Sequence, residues 1–330
     1  MVGAILLSML LVAAAFAVVA AIGAFDDLAS ARRDVITAAR ADDADDLITA
    51  LQAERNYSAL YLLGAQDVMD VGVDSLDEAT GATDDALAAF RSEVERAGGA
   101  LTKVYTPVLS DLDAPLADLR RRVAANGPGD IGQPAVTDPI FDGYTVQVDA
   151  LRAAGGAMAL EIDDTSLRQG AQLLNLAAAQ RALVAQLGRE LLLAGVSTGG
   201  TLDTPGEITP VGRDWAALVS NEAELTRLAG ISDYSDAAAD LADTSSITEF
   251  STLVQASLAG GPIPVTELTE MVPRGDVVQR YAAFETAVQT RFDTRAKDIR
   301  HDAELRRLLW IGLAVAAGVC LAITLVVLVR

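Results

Sequence analysis

The chain holds one cysteine and one histidine in 330 residues. Cys320 has no partner within the chain, so no internal disulfide can form and stability must come from packing. His301 with a single thiol cannot furnish the ligand set of a zinc site, and no metal is expected. Aromatic residues are sparse, at 5%. Basic residues are in deficit, 25 against 46 acidic ones, for a net charge of −21. That balance argues against nucleic acid and anionic lipid headgroups as partners, because both need a basic surface. The sequence also lacks a Gly-x-Ser-x-Gly elbow, a phosphate-binding glycine loop and a His-Glu-x-x-His pair. No catalytic residues, no enzyme activity and no cofactor are expected.

What the chain does have is an apolar segment at each end. Val2 to Phe25 carries no charge, and Ser8 is its only polar side chain. Leu308 to Val329 is also uncharged and is followed by Arg330. Each is long enough as a helix to cross a hydrocarbon core of roughly 30 Å. The expected domains are a transmembrane helix over 1–25, an extracytoplasmic region over 26–307 and a second transmembrane helix over 308–330. A cleaved signal peptide is the alternative for the first segment, although a basic leading region is missing. Residues 26–307 hold every acidic residue and all basic ones but Arg330, so two spans place the whole polar block on one side of a membrane. An effector domain is expected after Arg330.

The polar block reads as all-α. Alanine and leucine abound, apolar residues recur at three and four, and strand-like alternation is scarce. The pattern predicts a helix from Asp26 to about Ala65 and a loop from Val71 to Ala82. Thr83 then caps a helix that ends at Gly98-Gly99. Further helices are expected over Asp113–Asn126, Phe141–Asp163, and from Asp164 or Thr165 to about Val196. Loops are expected over Gly127–Pro139 and Ser197–Pro210. Shorter helices follow over Val211–Leu228, Ser235–Ala242 and Ile247–Leu258. A last helix runs from Asp276 directly into the second apolar segment.

Two arginines stand out. At offsets −7, −4, +4 and +7 from Arg55 lie Ile48, Leu51, Ala59 and Leu62; from Arg181 they are Leu174, Ala177, Ala185 and Gly188. Each arginine thus lies inside the apolar stripe that a helix buries. A guanidinium on a buried face needs an anionic or hydrogen-bonding partner. Its planar fork suits a carboxylate or a flat oxyanion, so a small-anion site between the two helices is one reading. Internal pairing with Asp84, Asp85, Asp163 or Asp164 is the other. Tyr57 and Ser58 could add hydroxyl donors. Arg189, two turns after Arg181, could flank such a site, although a surface position is the ordinary reading. Arg120-Arg121-Arg122 reads as a cation cluster complementing a helix C-terminus.

The segment Leu51-Gln52-Ala53-Glu54-Arg55-Asn56-Tyr57-Ser58, with Tyr61-Leu62, resembles the "LQxERxxS…YL" opening of the nitrate- and nitrite-sensing (NIT) domain. Ala82 to Leu87 resembles that family's "TD-x-AL" helix start. Phe141-Asp142-Gly143-Tyr144 through Leu151 resembles its "Y…L" helix, and Gln180-Arg181-Ala182-Leu183 its "ERAL" helix. These motifs run in order from about Asp42 to Gly195. The resemblance implies two stacked up-down four-helix bundles outside the membrane, serving a bacterial histidine kinase, cyclase or similar receptor. With the two apolar ends, the expected architecture is two such bundles flanked by two transmembrane helices, in a receptor that works as a homodimer. It also implies a ligand, nitrate or nitrite, held by Arg55 and Arg181. This sequence departs from the family at Asn56 and Tyr57, where small residues are usual, and at Gln180, where glutamate is usual. The alternative function is a ligand-free helical stalk that dimerises a receptor or meets a partner protein.

Overall fold

The structure is a computed structural model. It describes residues 41–62, 75–127, 134–197, 200–202, 205–231, 233–238, 241, 245–271 and 276–329, with positions 19, 22, 23 and 29. Among the described residues every regular element is an α-helix. The helices are α1 (Ala41–Leu62), α2 (Leu76–Ala97), α3 (Gly99–Ser110), α4 (Asp113–Asn126), α5 (Pro134–Leu160), α6 (Thr165–Ser197), α7 (Pro205–Ile231), α8 (Ser245–Leu258), α9 (Val265–Met271) and α10 (Asp276–Val329).

Local chemistry explains most boundaries. Ser75 caps α2 by accepting from the Glu78 N–H at 3.1 Å, which moves the helix start ahead of the expected Thr83. Thr83 lies inside α2, where its hydroxyl donates to the Ala79 carbonyl. Gly98 stops α2 with φ 66°, and Gly99 at φ 60° starts α3 at once. This positive φ is cheap only for glycine. Helix α5 begins at Pro134 rather than Phe141 and contains Pro139. Helix α7 begins at Pro205 within the expected loop; proline favours a first helical position. The Asp164 carboxylate accepts from the Leu167 N–H at 2.9 Å and caps α6. Residues 233–238 form turns where a helix was expected.

The buried side chains form two large clusters. The first comes from α1 to α5 and includes Leu51, Phe90, Tyr105, Leu116, Tyr144 and Leu151. The second comes mainly from α6 to α10 and includes Leu187, Leu218, Phe250, Leu268, Tyr281 and Phe292. Helices α5 and α6 pack against each other and join the two halves. Helix α6 also packs against α7, α9 and α10, and Gly170 sets one close approach. A Cβ at Gly170 would run into Tyr234 and Phe292, both buried. Gly170→Ala is therefore expected to cost about 1–3 kcal/mol by overpacking, visible as a lower midpoint in urea denaturation.

Each half also holds a carboxylate network, buried in the first and partly exposed in the second. Glu54 is fully buried. It accepts from Arg120 Nε at 2.7 Å, Arg120 Nη2 at 2.9 Å and the Tyr144 hydroxyl at 2.8 Å. Arg120 is thus a core ion-pair residue, not a dipole-complementing surface cation; its place on the inner face of α4, beside Leu116 and Leu119, brings it to α1. Arg121 and Arg122 pair with Asp118 on the exposed side. In the second half, Glu222 accepts from Arg280 Nη2 and from the Tyr281 hydroxyl, both at 2.8 Å. Gln180 donates to the same Glu222 at 3.2 Å.

Helix α10 is continuous over 54 residues, about 80 Å at the standard rise. Its Val277–Thr324 portion is long and apolar enough to cross a membrane by length and composition, and the apolar window is not buried. Leu308, Val315 and Ile323 are all exposed. This is the one such helix among the described residues. The expected first span, over residues 1–25, lies outside the described residues apart from isolated positions.

Candidate functional site

Arg55 lies on α1 at the junction of α1, α5 and α6. It is buried, 3% exposed. Its Nη1 donates to the Thr145 hydroxyl at 3.0 Å and to Gln186 Oε1 at 3.1 Å. No carboxylate is within ion-pair distance of it among the described residues. Burial, with Arg152 nearby, pulls its pKa down to about 10. It therefore still carries its charge at neutral pH, in a place that charge disfavours.

The second arginine there is Arg189, not Arg181. Arg189 is 2% exposed and donates from Nη1 to the Asn56 side-chain oxygen at 2.7 Å. Its guanidinium carbon lies 3.3 Å from the Phe141 ring centroid, and that of Arg55 lies 4.3 Å from the same centroid. The two carbons are therefore no further apart than those distances combined. Burial first, and the neighbouring Arg55 charge second, hold the Arg189 pKa well below the usual arginine range. The Nε atoms of both arginines are buried and have no hydrogen-bond acceptor among the described residues.

Carboxyl groups stand behind the pair. Gln186 accepts from Arg55 and donates to Asp214 and, at 3.4 Å, to Glu190 Oε1. Arg213 Nε binds Asp214 at 2.8 Å. Burial pushes the Glu190 pKa up to about 7, and the Asp214 charge adds to the shift. The arrangement is a cluster of fixed donors, with carboxyl groups beside them, in a poorly solvated setting. Chemically it can hold a small anion, since hydrogen bonds from charged donors are stronger there.

The other expected residues are placed elsewhere. Arg181 points to α10 and pairs with Glu285 Oε2 at 2.8 Å, with its side chain 39% exposed. This is the internal pairing named as the alternative, although with Glu285 rather than the aspartates considered. Ser58 is fully buried and lies beside Tyr144, on the side of the Glu54 network. Tyr57 is buried, 8% exposed. The sequence pattern assigned Arg189 a surface role, yet Ala182, Ala185, Leu192 and Leu193 around it make an apolar stripe like that around Arg181.

The fold is all-helical among the described residues, and it buries Arg55 and Arg189 together where α1, α5 and α6 meet. The family model for nitrate and nitrite sensing (NIT) matches residues 46–306. The chain belongs to the NIT family. No curated protein matches it. A solved structure titled "Structure of the NasR transcription antiterminator" is similar at 16% identity, covering 88% of this chain and 79% of that chain, with a TM-score of 0.48.

Proposed function

We propose that the chain is the sensing region of a transmembrane receptor that binds nitrate or nitrite between Arg55 and Arg189. The observation that carries this reading is the pair of buried guanidiniums whose Nε–H groups have no acceptor. Like charges buried side by side oppose each other, and an anion between them relieves both the repulsion and the unmet donors. The ligand then bridges α1 and α6. Helix α6 packs along α10, and α10 continues into its apolar stretch. A ligand that favours one α1–α6 spacing over another shifts the position of α10 by its differential affinity for the two.

In this reading, residues 26–307 form two stacked helical bundles outside the membrane, 1–25 and 308–330 are spans, and a homodimer passes the shift to an effector after Arg330. The ligand-free stalk is supported by a different observation: Arg181 already has an internal partner in Glu285. Titration calorimetry on the full chain separates the two. Nitrate or nitrite binds the wild type, while Arg55→Ala and Arg189→Ala each weaken it by at least about a hundredfold, as expected for a lost charge-assisted donor set. Arg181→Ala changes affinity by less than about threefold, because it acts on the Glu285 side. No heat with either anion at millimolar concentration, and no thermal shift, favours the stalk.

A further inference from the structure

We propose that Phe141 is the positioning and specificity residue of this site: its ring holds the two guanidiniums as a pair and admits flat oxyanions in preference to tetrahedral ones. The inference rests on the anion reading above.

Two like-charged side chains brought together in a buried place need something to hold them there. The ring of Phe141 is within stacking distance of both, at 3.3 Å from the Arg189 carbon and 4.3 Å from that of Arg55. The negative face of an aromatic ring attracts cations, and desolvation strengthens the attraction. The same helix supplies a second restraint one turn later. Thr145 accepts from Arg55 Nη1, and its hydroxyl donates back to the Phe141 carbonyl at 3.0 Å. Ring and acceptor are thus tied to one turn of α5. On the other side, Asn56 holds Arg189 Nη1 and Gln186 holds Arg55 Nη1.

These restraints leave the Nε edges as the buried, unpartnered donors. The face of the ring repels an anion, so the anion must approach the guanidiniums along their edges and in their planes. A flat oxyanion places two oxygens in such a plane. A tetrahedral one always carries an oxygen out of it, toward the ring. Shape, not charge, is what the ring selects, and this separates its role from that of the arginines. Phe141 is only partly buried, so it also stands where the cluster meets solvent.

The test uses calorimetry on the full chain with nitrate and perchlorate, two singly charged oxyanions that differ in shape. Wild type is expected to prefer nitrate. Phe141→Leu, close in volume but without a π face, is expected to lose at least tenfold in nitrate affinity and most of the preference over perchlorate. Phe141→Tyr, which keeps the ring, stays within about threefold of wild type on both measures. Phe141→Met serves as a second non-aromatic variant, with the unfolding midpoint recorded for each. Nitrate affinity and anion preference unchanged in Phe141→Leu and Phe141→Met, or lost equally in Phe141→Tyr, overturn the role of the ring. Absence of nitrate and nitrite binding in the wild type itself overturns the anion reading on which it rests.

Discussion

Arg120→Ala is expected to destabilise the chain by about 3–5 kcal/mol, the usual result of removing one partner of a buried ion pair. Glu54 has no solvent to fall back on. It is fully buried, and two of its three hydrogen bonds come from Arg120. Without the guanidinium, the buried carboxylate keeps only the Tyr144 hydroxyl as a donor. Arg120 also links Asp84 at 2.8 Å and the Thr80 carbonyl, so α1, α2 and α4 are loosened together. Arg121→Ala is the control. Its partner is the exposed Asp118 at 3.0 Å, one turn away, and an exposed pair screened by solvent contributes little to stability. Replacing both partners, Glu54→Gln with Arg120→Met, is expected to recover part of the loss, because the penalty comes from the unpaired charge. Urea denaturation followed by circular dichroism measures all three. Equal midpoints for Arg120→Ala and Arg121→Ala would disprove the role given to the network.

The second large effect is on pH dependence. Glu190 is raised from 4.5 to about 7, first by burial and then by Asp214, against opposing help from Arg189 and Gln186. A carboxyl with a raised folded-state pKa keeps its proton in the folded chain where the unfolded chain has lost it. Stability therefore falls as pH rises from about 4.5 to about 7, and the difference across that window is roughly 3 kcal/mol for this one group. Glu285 is raised to about 7 as well, mainly by burial, and slopes the same way. Glu190→Gln is expected to flatten part of the profile and to be more stable than wild type at pH 8, with little difference near pH 4. Ionised Glu190 also competes with a bound anion for the field of Arg189. Nitrate is expected to bind more weakly at pH 8 than at pH 6 in the wild type, and equally at both in Glu190→Gln. A pH profile of stability that is identical in the variant and the wild type would remove Glu190 from this account.

Much of the helical plan was readable because its causes are local. Asp164 caps α6, Gly98 stops α2, and the alanine- and leucine-rich periodicity covers α4, α6 and α10. The missed elements have local causes too, but weaker ones. Helix α3 starts directly at Gly99 and contains Pro107, two residues that argue against a helix by composition. The start of α2 rests on the Ser75 cap, ahead of Gly81, which breaks the apparent pattern. The short α9 lies between two proline-rich connections and is held by the buried Leu268.

The candidate site divides along the same line. Arg55 was found because a charged residue within an apolar stripe is visible in one helix alone. Its partner was not, since Arg181 and Arg189 satisfy the same test and differ only in what packs opposite them. Arg181 meets α10 and Glu285, whereas Arg189 meets α1 and α5. The Arg189–Asn56 bond joins residues 133 positions apart, and no periodicity reaches that far. By itself, then, the sequence determined the all-helical class, the acidic character, the apolar C-terminal stretch and the fact that Arg55 is buried. Only the tertiary structure decided which arginine joins it, because a helix period states which face is turned inward and not which neighbour that face will meet.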